Sequence, residues 1–121
     1  MSYSLVHDKK RDVIRLTITG RFDATELRRI APEVARLTHE TGCRRILNDI
    51  RKADVRFSFM EVFHSPNMMD TAGIGRETRR ALVVPRDFNE AGFLEDVTRN
   101  RGHRFRVFQT CGQALRWLQK D

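Results

Sequence analysis

The residue best placed for chemistry is Ser58. It opens the run Ser58-Phe59-Met60-Glu61, the spacing at which a serine hydroxyl and a glutamate carboxylate cap a helix reciprocally. A phosphate on that hydroxyl would meet the free N–H groups and the positive end of the helix dipole, so Ser58 is a candidate phosphoacceptor. The plain structural reading is an ordinary N-cap, and the two are compatible because a cap hydroxyl can be exposed. Around it, Phe57, Phe59, Met60 and Phe63 supply more apolar bulk than one buried helix face requires. With Asp49 on the preceding strand they make a candidate surface for a partner protein, or for a small apolar or anionic, lipid-like ligand.

The remaining chemistry-bearing residues assemble into less. Cys111 opens the last helix, where a thiol pKa is lowered, but no histidine or resolving cysteine stands near it in sequence. His39 and Cys43 are four apart with no third ligand, so no metal site is expected. There is no G-x-S-x-G elbow, Walker loop or H-E-x-x-H, and Gly73-Ile74-Gly75 lacks a third glycine and precedes a strand. No nucleophile stands beside a base. The expectation is a non-enzymatic protein without a cofactor. Five arginines, Arg44, Arg45, Arg79, Arg80 and Arg104, flank the starts of three strands and would gather at one sheet edge. That edge is a candidate site for an anionic partner; its plain reading is a solvated rim.

Composition limits what these residues can serve. Of 121 residues, 40% are hydrophobic and 32% charged, enough apolar mass for one folded domain over 1–121. Twenty-three basic residues against 16 acidic give a formal charge of +7, and 19 of the 23 are arginine. Such a surplus suits phosphate or carboxylate recognition. It is spread along the chain rather than gathered in a tail, so nucleic acid is not the expected partner. Two cysteines make no disulfide framework. The absence of a long apolar run and of a secretory leader points to a cytoplasmic protein without a membrane span.

The elements that must position Ser58 follow from periodicity. Residues 2–7 and 13–20 read as an antiparallel hairpin, with Ile14, Leu16 and Ile18 on the buried face. Asp23 and Glu26 cap a helix that carries Ile30 and Val34 and ends at Gly42, with Pro32 expected to kink or restart it. Residues 45–50 read as a strand, and Ser58 opens the next helix, loosened or ended by Pro66 and Gly73. Ala81-Leu82-Val83-Val84 reads as a central parallel strand, and Asp87 with Glu90 caps a third helix. Phe105–Phe108 is the last strand, and Thr110 with Gln113 caps the final helix. The order β-β-α-β-α-β-α-β-α predicts an α/β fold with a mixed sheet and packed helices.

That order resembles the STAS domains, and within them the bacterial SpoIIAA-like group, over nearly the whole chain. The resemblance rests on Gly20-Arg21-Phe22-Asp23 before a helix containing Pro32-Glu33, and on the strand from Arg45 to Ile50. It rests further on Arg80-Ala81-Leu82-Val83-Val84, and on Arg104-Phe105-Arg106-Val107-Phe108 followed by Ala114-Leu115-Arg116-Trp117-Leu118. It implies a regulatory module that docks to a partner protein or to a second copy. It also implies a switch by phosphorylation of a serine at the start of the helix after the third strand, where Ser58 stands. The antagonists' Asp-Ser-Ser/Thr-Gly run is here Arg56-Phe57-Ser58-Phe59. The SpoIIAA-like group in turn resembles the lipid-carrying CRAL-TRIO fold, which keeps the apolar ligand as an alternative.

Overall fold

Alternation of apolar and polar residues from Val13 onward becomes one strand of a five-stranded sheet. In the computed structural model, which describes residues 1–120, β1 (Ser2–Asp8) and β2 (Val13–Asp23) form the antiparallel hairpin. Strands β3 (Arg45–Arg56), β4 (Arg79–Val83) and β5 (Arg104–Phe108) join β2 in parallel, in the spatial order β1-β2-β3-β4-β5. Between and after them come α1 (Ala24–Thr41), α2 (Phe59–Ala72), α3 (Ala91–Asn100) and α4 (Cys111–Leu118). The hairpin turn holds Asp12 at φ 53°, a left-handed conformation that aspartate tolerates, and its carboxylate is bonded to His7.

The sheet is covered on both sides. Ile14, Leu16, Ile18, Ile46 and Leu82 pack with Ile30 and Val34 of α1 and Met69 of α2. On the other face Val13, Leu47, Ala81 and Val83 pack against Ala114 and Leu118 of α4. Strand β4 therefore has no solvent face, which is why its sequence is an unbroken apolar run after two arginines.

Three of the four helices begin on the caps that the sequence predicts. Asp23 accepts from the Glu26 N–H at 3.0 Å, and Thr110 accepts from the Gln113 N–H at 3.2 Å. At α2 the box is complete: the Glu61 N–H donates to Ser58 Oγ at 3.1 Å, and the Ser58 N–H donates to Glu61 Oε1 at 2.8 Å. Each such cap contributes roughly 1 kcal/mol. The third helix differs. Residues 85–88 form a turn closed by the Phe88 N–H on the Pro85 carbonyl, so Asp87 caps nothing. Helix α3 starts at Ala91, with Glu90 at the N-cap making no side-chain bond.

Two further expectations are corrected. Helix α1 runs unbroken through Pro32 to Thr41, because Ile30, Ala31, Val34 and Ala35 clamp it to the sheet on both sides of an exposed proline. Helix α2 likewise continues past Pro66 to its Gly73 cap. Strand β3 extends six residues beyond Ile50 to Arg56, paired with β2 through a register irregularity between Thr17 and Thr19. Its end has a consequence for the site. Asp23 and Arg56 are register partners, so the N-termini of α1 and α2 emerge side by side from the β2–β3 ribbon.

Candidate functional site

Ser58 sits at this paired helix start and is exposed. Beyond it α2 turns three apolar side chains outward: Phe59 is 62% exposed, Met60 55% and Phe63 36%. Phe59 stacks on Phe93 of α3 with ring centroids 4.5 Å apart, and the Arg101 guanidinium lies over the Phe63 ring at 5.5 Å. Arg101 is held there by Asn67, to whose Oδ1 it donates. The result is an apolar patch across α2 and α3 with an arginine at its rim.

The other two residues expected in this surface lie elsewhere. Phe57 turns inward, its ring 5.3 Å from that of Phe22. Asp49 is on the α4 face of the sheet, because it is in phase with the buried Leu47 rather than with Ile46. There Arg51 grips its carboxylate through Nε at 3.0 Å and Nη2 at 2.8 Å, and the Cys111 thiol is 3.6 Å away. Burial pushes the Asp49 carboxyl up, but the Arg51 bonds outweigh it and hold the carboxyl below its ordinary range. The Cys111 thiol is raised, first by burial and then by the Asp49 charge, which overrides the helix-start effect expected from sequence.

The arginine edge also divides. Arg45, Arg79 and Arg104 are aligned across β3, β4 and β5. Arg44 and Arg104 are exposed, whereas Arg45 faces Asp12 at 3.9 Å. Arg79 donates to the carbonyls of Trp117 and Lys120 and lies over the Trp117 ring, tying down the end of α4. Arg80 is not at the edge at all. It shares the inner face with Leu82 and is only 6% exposed, its guanidinium 5.2 Å over the Phe105 ring. The signal for this was period-two alternation in a strand covered on both faces: a residue in phase with Leu82 has no solvent to reach.

Arg80 and Phe57 both line a cavity of about 110 Å³ between the sheet and α1–α3. From α2 the walls are Val62, Ser65, Pro66 and Met69. Phe59, Met60 and Phe63 are not among them, so the cavity lies behind the helix that carries them and not beside their exposed side chains.

A third cluster joins His7, Asp12 and Cys43, whose ligand-type atoms lie within 4.8 Å of one another. His7 and Asp12 are bonded at 2.9 Å, and the Cys43 thiol donates to the Asp12 and Arg45 carbonyls. Burial raises the Cys43 thiol, and the bonds of these groups fasten the hairpin turn to the start of β3.

No protein-family model and no curated relative matches this chain. Solved structures do. An uncharacterized DUF3478-family protein with a SpoIIAA-like fold from Shewanella loihica PV-4 superposes with a TM-score of 0.61 at 17% identity, over 97% of this chain and 92% of that one. The chain has the SpoIIAA-like fold. The anti-sigma factor antagonist SpoIIAA in its unphosphorylated form gives a TM-score of 0.55 at 10% identity, covering 93% and 92%. The Bacillus cell fate determinant SpoIIAA in its phosphorylated form gives 0.56 at 12%, covering 96% and 98%. On this SpoIIAA-like fold, no helix among the described residues is long and apolar enough to cross a membrane.

Proposed function

We propose that this chain is a non-enzymatic regulatory module that docks a protein partner through the start of α2 and is switched at Ser58. The observation that carries the reading is the exposed Phe59–Met60–Phe63 patch directly following an exposed serine cap. Apolar side chains on a helix face, bordered by Arg101, suit a partner groove that is apolar within and acidic at its rim. Phosphorylating Ser58 would place a dianion at the edge of that patch. The helix N-terminus would accept it, but Glu61, now bonded to the Ser58 N–H, would be displaced. The phosphorylated form of the similarly folded SpoIIAA supports a switch of this kind. A second copy of the chain is the other partner that the same surface would fit.

The test is site-specific photo-crosslinking from position 59 in the native host, with Phe63→Asp and Ser58→Asp as companions. One saturable adduct is expected, lost in Phe63→Asp and changed in yield by Ser58→Asp, while both variants keep the parent melting temperature. Crosslinks that ignore both substitutions would defeat the reading.

A further inference from the structure

We propose that the cavity beneath α1, α2 and α3 is a binding site for a monocarboxylate with a short apolar tail, received by the guanidinium of Arg80. The cavity holds about 110 Å³, and its walls are almost wholly hydrocarbon, among them Leu16, Ile18, Ile30, Val34, Leu82 and Phe105. Into this chamber β4 directs one cation. Arg80 Nε and Nη2 are both buried and have no hydrogen-bond partner, and among the described residues no carboxylate is within ion-pair distance; Asp70, paired with His103, acts on Arg80 only through its charge. A buried charged donor without a partner is what a folded chain avoids, unless something else fills the place. Burial lowers the Arg80 pKa to about 10, so the group still carries its charge at neutral pH.

The chemistry of the missing partner is narrowed by three features. Nε and Nη2 form one edge of the guanidinium, the edge whose two parallel N–H bonds a carboxylate bridges. The protein uses that same edge on Asp49, where Arg51 Nε and Nη2 bond the two carboxylate oxygens at 3.0 and 2.8 Å. Next, a single cation in apolar walls matches a single negative charge; a phosphate dianion would leave its second charge unpaired. Finally, the size limits the tail. A cavity of roughly 150 Å³ with such walls holds the six carbons of a benzene-sized group, so this one takes about four or five non-hydrogen atoms, the two carboxylate oxygens included. Asn48 and Thr98 also line the space, and Ser65 does too, although its hydroxyl is committed to the Val62 carbonyl at 2.8 Å.

This inference is independent of the docking surface, which lies on the outer side of α2. It is tested by titrating the full chain at pH 7.5 with straight-chain carboxylates from acetate to decanoate, with 1-propanol, and with inorganic phosphate. The readout is the Arg80 Nε–Hε resonance, assigned by its loss in Arg80→Met. Saturable shifts are expected from acetate to butanoate, strongest at propanoate, with hexanoate, decanoate and 1-propanol at least about tenfold weaker. Melting temperature of Arg80→Met should no longer rise with propanoate, whereas its response to 1-propanol should not weaken. An unmoved Nε–Hε resonance across the whole series would overturn the proposal, whatever ligand affinity the variant shows. Phosphate acting as strongly as propanoate, or Arg80→Met binding propanoate as well as the parent, would overturn it too.

Discussion

Ser58 bonds its helix in both directions, accepting at Oγ and donating from its N–H, so substitution can separate cap from charge. Ser58→Ala removes the acceptor for the Glu61 N–H and should cost about 1 kcal/mol, a fall of about 4 °C in melting temperature for a chain of this size. Ser58→Asp keeps an acceptor and should stay within about 0.5 kcal/mol of the parent. Equal stability of Ala and parent in urea titration would show that the box contributes nothing. His103 offers a different handle. Its side chain is buried, with Nε2 3.1 Å from Asp70 Oδ1, and Arg80 and Arg76 act on it from neighbouring positions. Burial, then the Arg80 charge, lowers its pKa below the ordinary 6.5, against the pull of Asp70. Below about pH 6.5 the unfolded chain therefore binds a proton that the folded chain resists. This stability is present above 6.5 and drains as pH falls toward the depressed folded value. The aspartates with lowered pKa, such as Asp23 and Asp49, lose their contribution only in the range below about 4. Urea midpoints at pH 7.5 and 5.0 should thus fall for the parent and fall less for His103→Gln; equal losses would refute the assignment.

At the scale of elements, the legible parts were those governed by neighbours in sequence. Asp23, Ser58 and Thr110 announce their helices because a cap is a local bond between residues three apart. The hairpin and the β4 run are legible for the same reason, since one strand's alternation reports how many of its faces are covered. What escaped was set by packing across the sheet. Beyond Ile50, β3 reads Arg51-Lys52-Ala53-Asp54, polar enough to look like a loop, yet its backbone bonds are completed by the equally long β2. Asp87 has the capping spacing but is taken into the turn after Pro85, which delays α3 by three residues. Pro32 was expected to kink or restart α1, and with buried residues on either side the helix does not restart there. The candidate surface was read as one cluster because Asp49, Phe57 and Phe59 are close in the chain. Strand phase then sends Asp49 to the α4 face, and only the residues beyond the Ser58 cap reach solvent together. Arg80 was placed at an edge by its position at the start of a strand, although its phase with Leu82 already directed it inward.

In the whole molecule, stability is unevenly distributed, and the weak element is the one that walls the cavity. Strands β2 and β4 contribute side chains with no exposure at all, including Ile14, Val13 and Val83, β3 adds the nearly buried Ile46 and Leu47, and α1 is capped at both ends. Helix α3 has a single buried residue, Thr98, and no side-chain cap at Glu90. Leu94 and Thr98 nonetheless close one side of the cavity, and Glu95 accepts from the Val107 N–H at 2.7 Å on the outer edge of β5. Local opening of α3 is therefore the lowest-cost route by which the cavity meets solvent. Amide deuterium exchange should be fastest among the well-formed helices in α3 and slowest in β2–β4, with α1 between them. Glu90→Ser supplies the missing cap and should slow exchange in α3 by about fivefold, the equivalent of about 1 kcal/mol, while leaving α1 unchanged. Protection in α3 equal to that in α1 would mean that Glu95 and the Phe59–Phe93 stack hold the helix as firmly as a buried face does. The cavity would then need another door, and the hinge would have to be sought at α2 around Pro66.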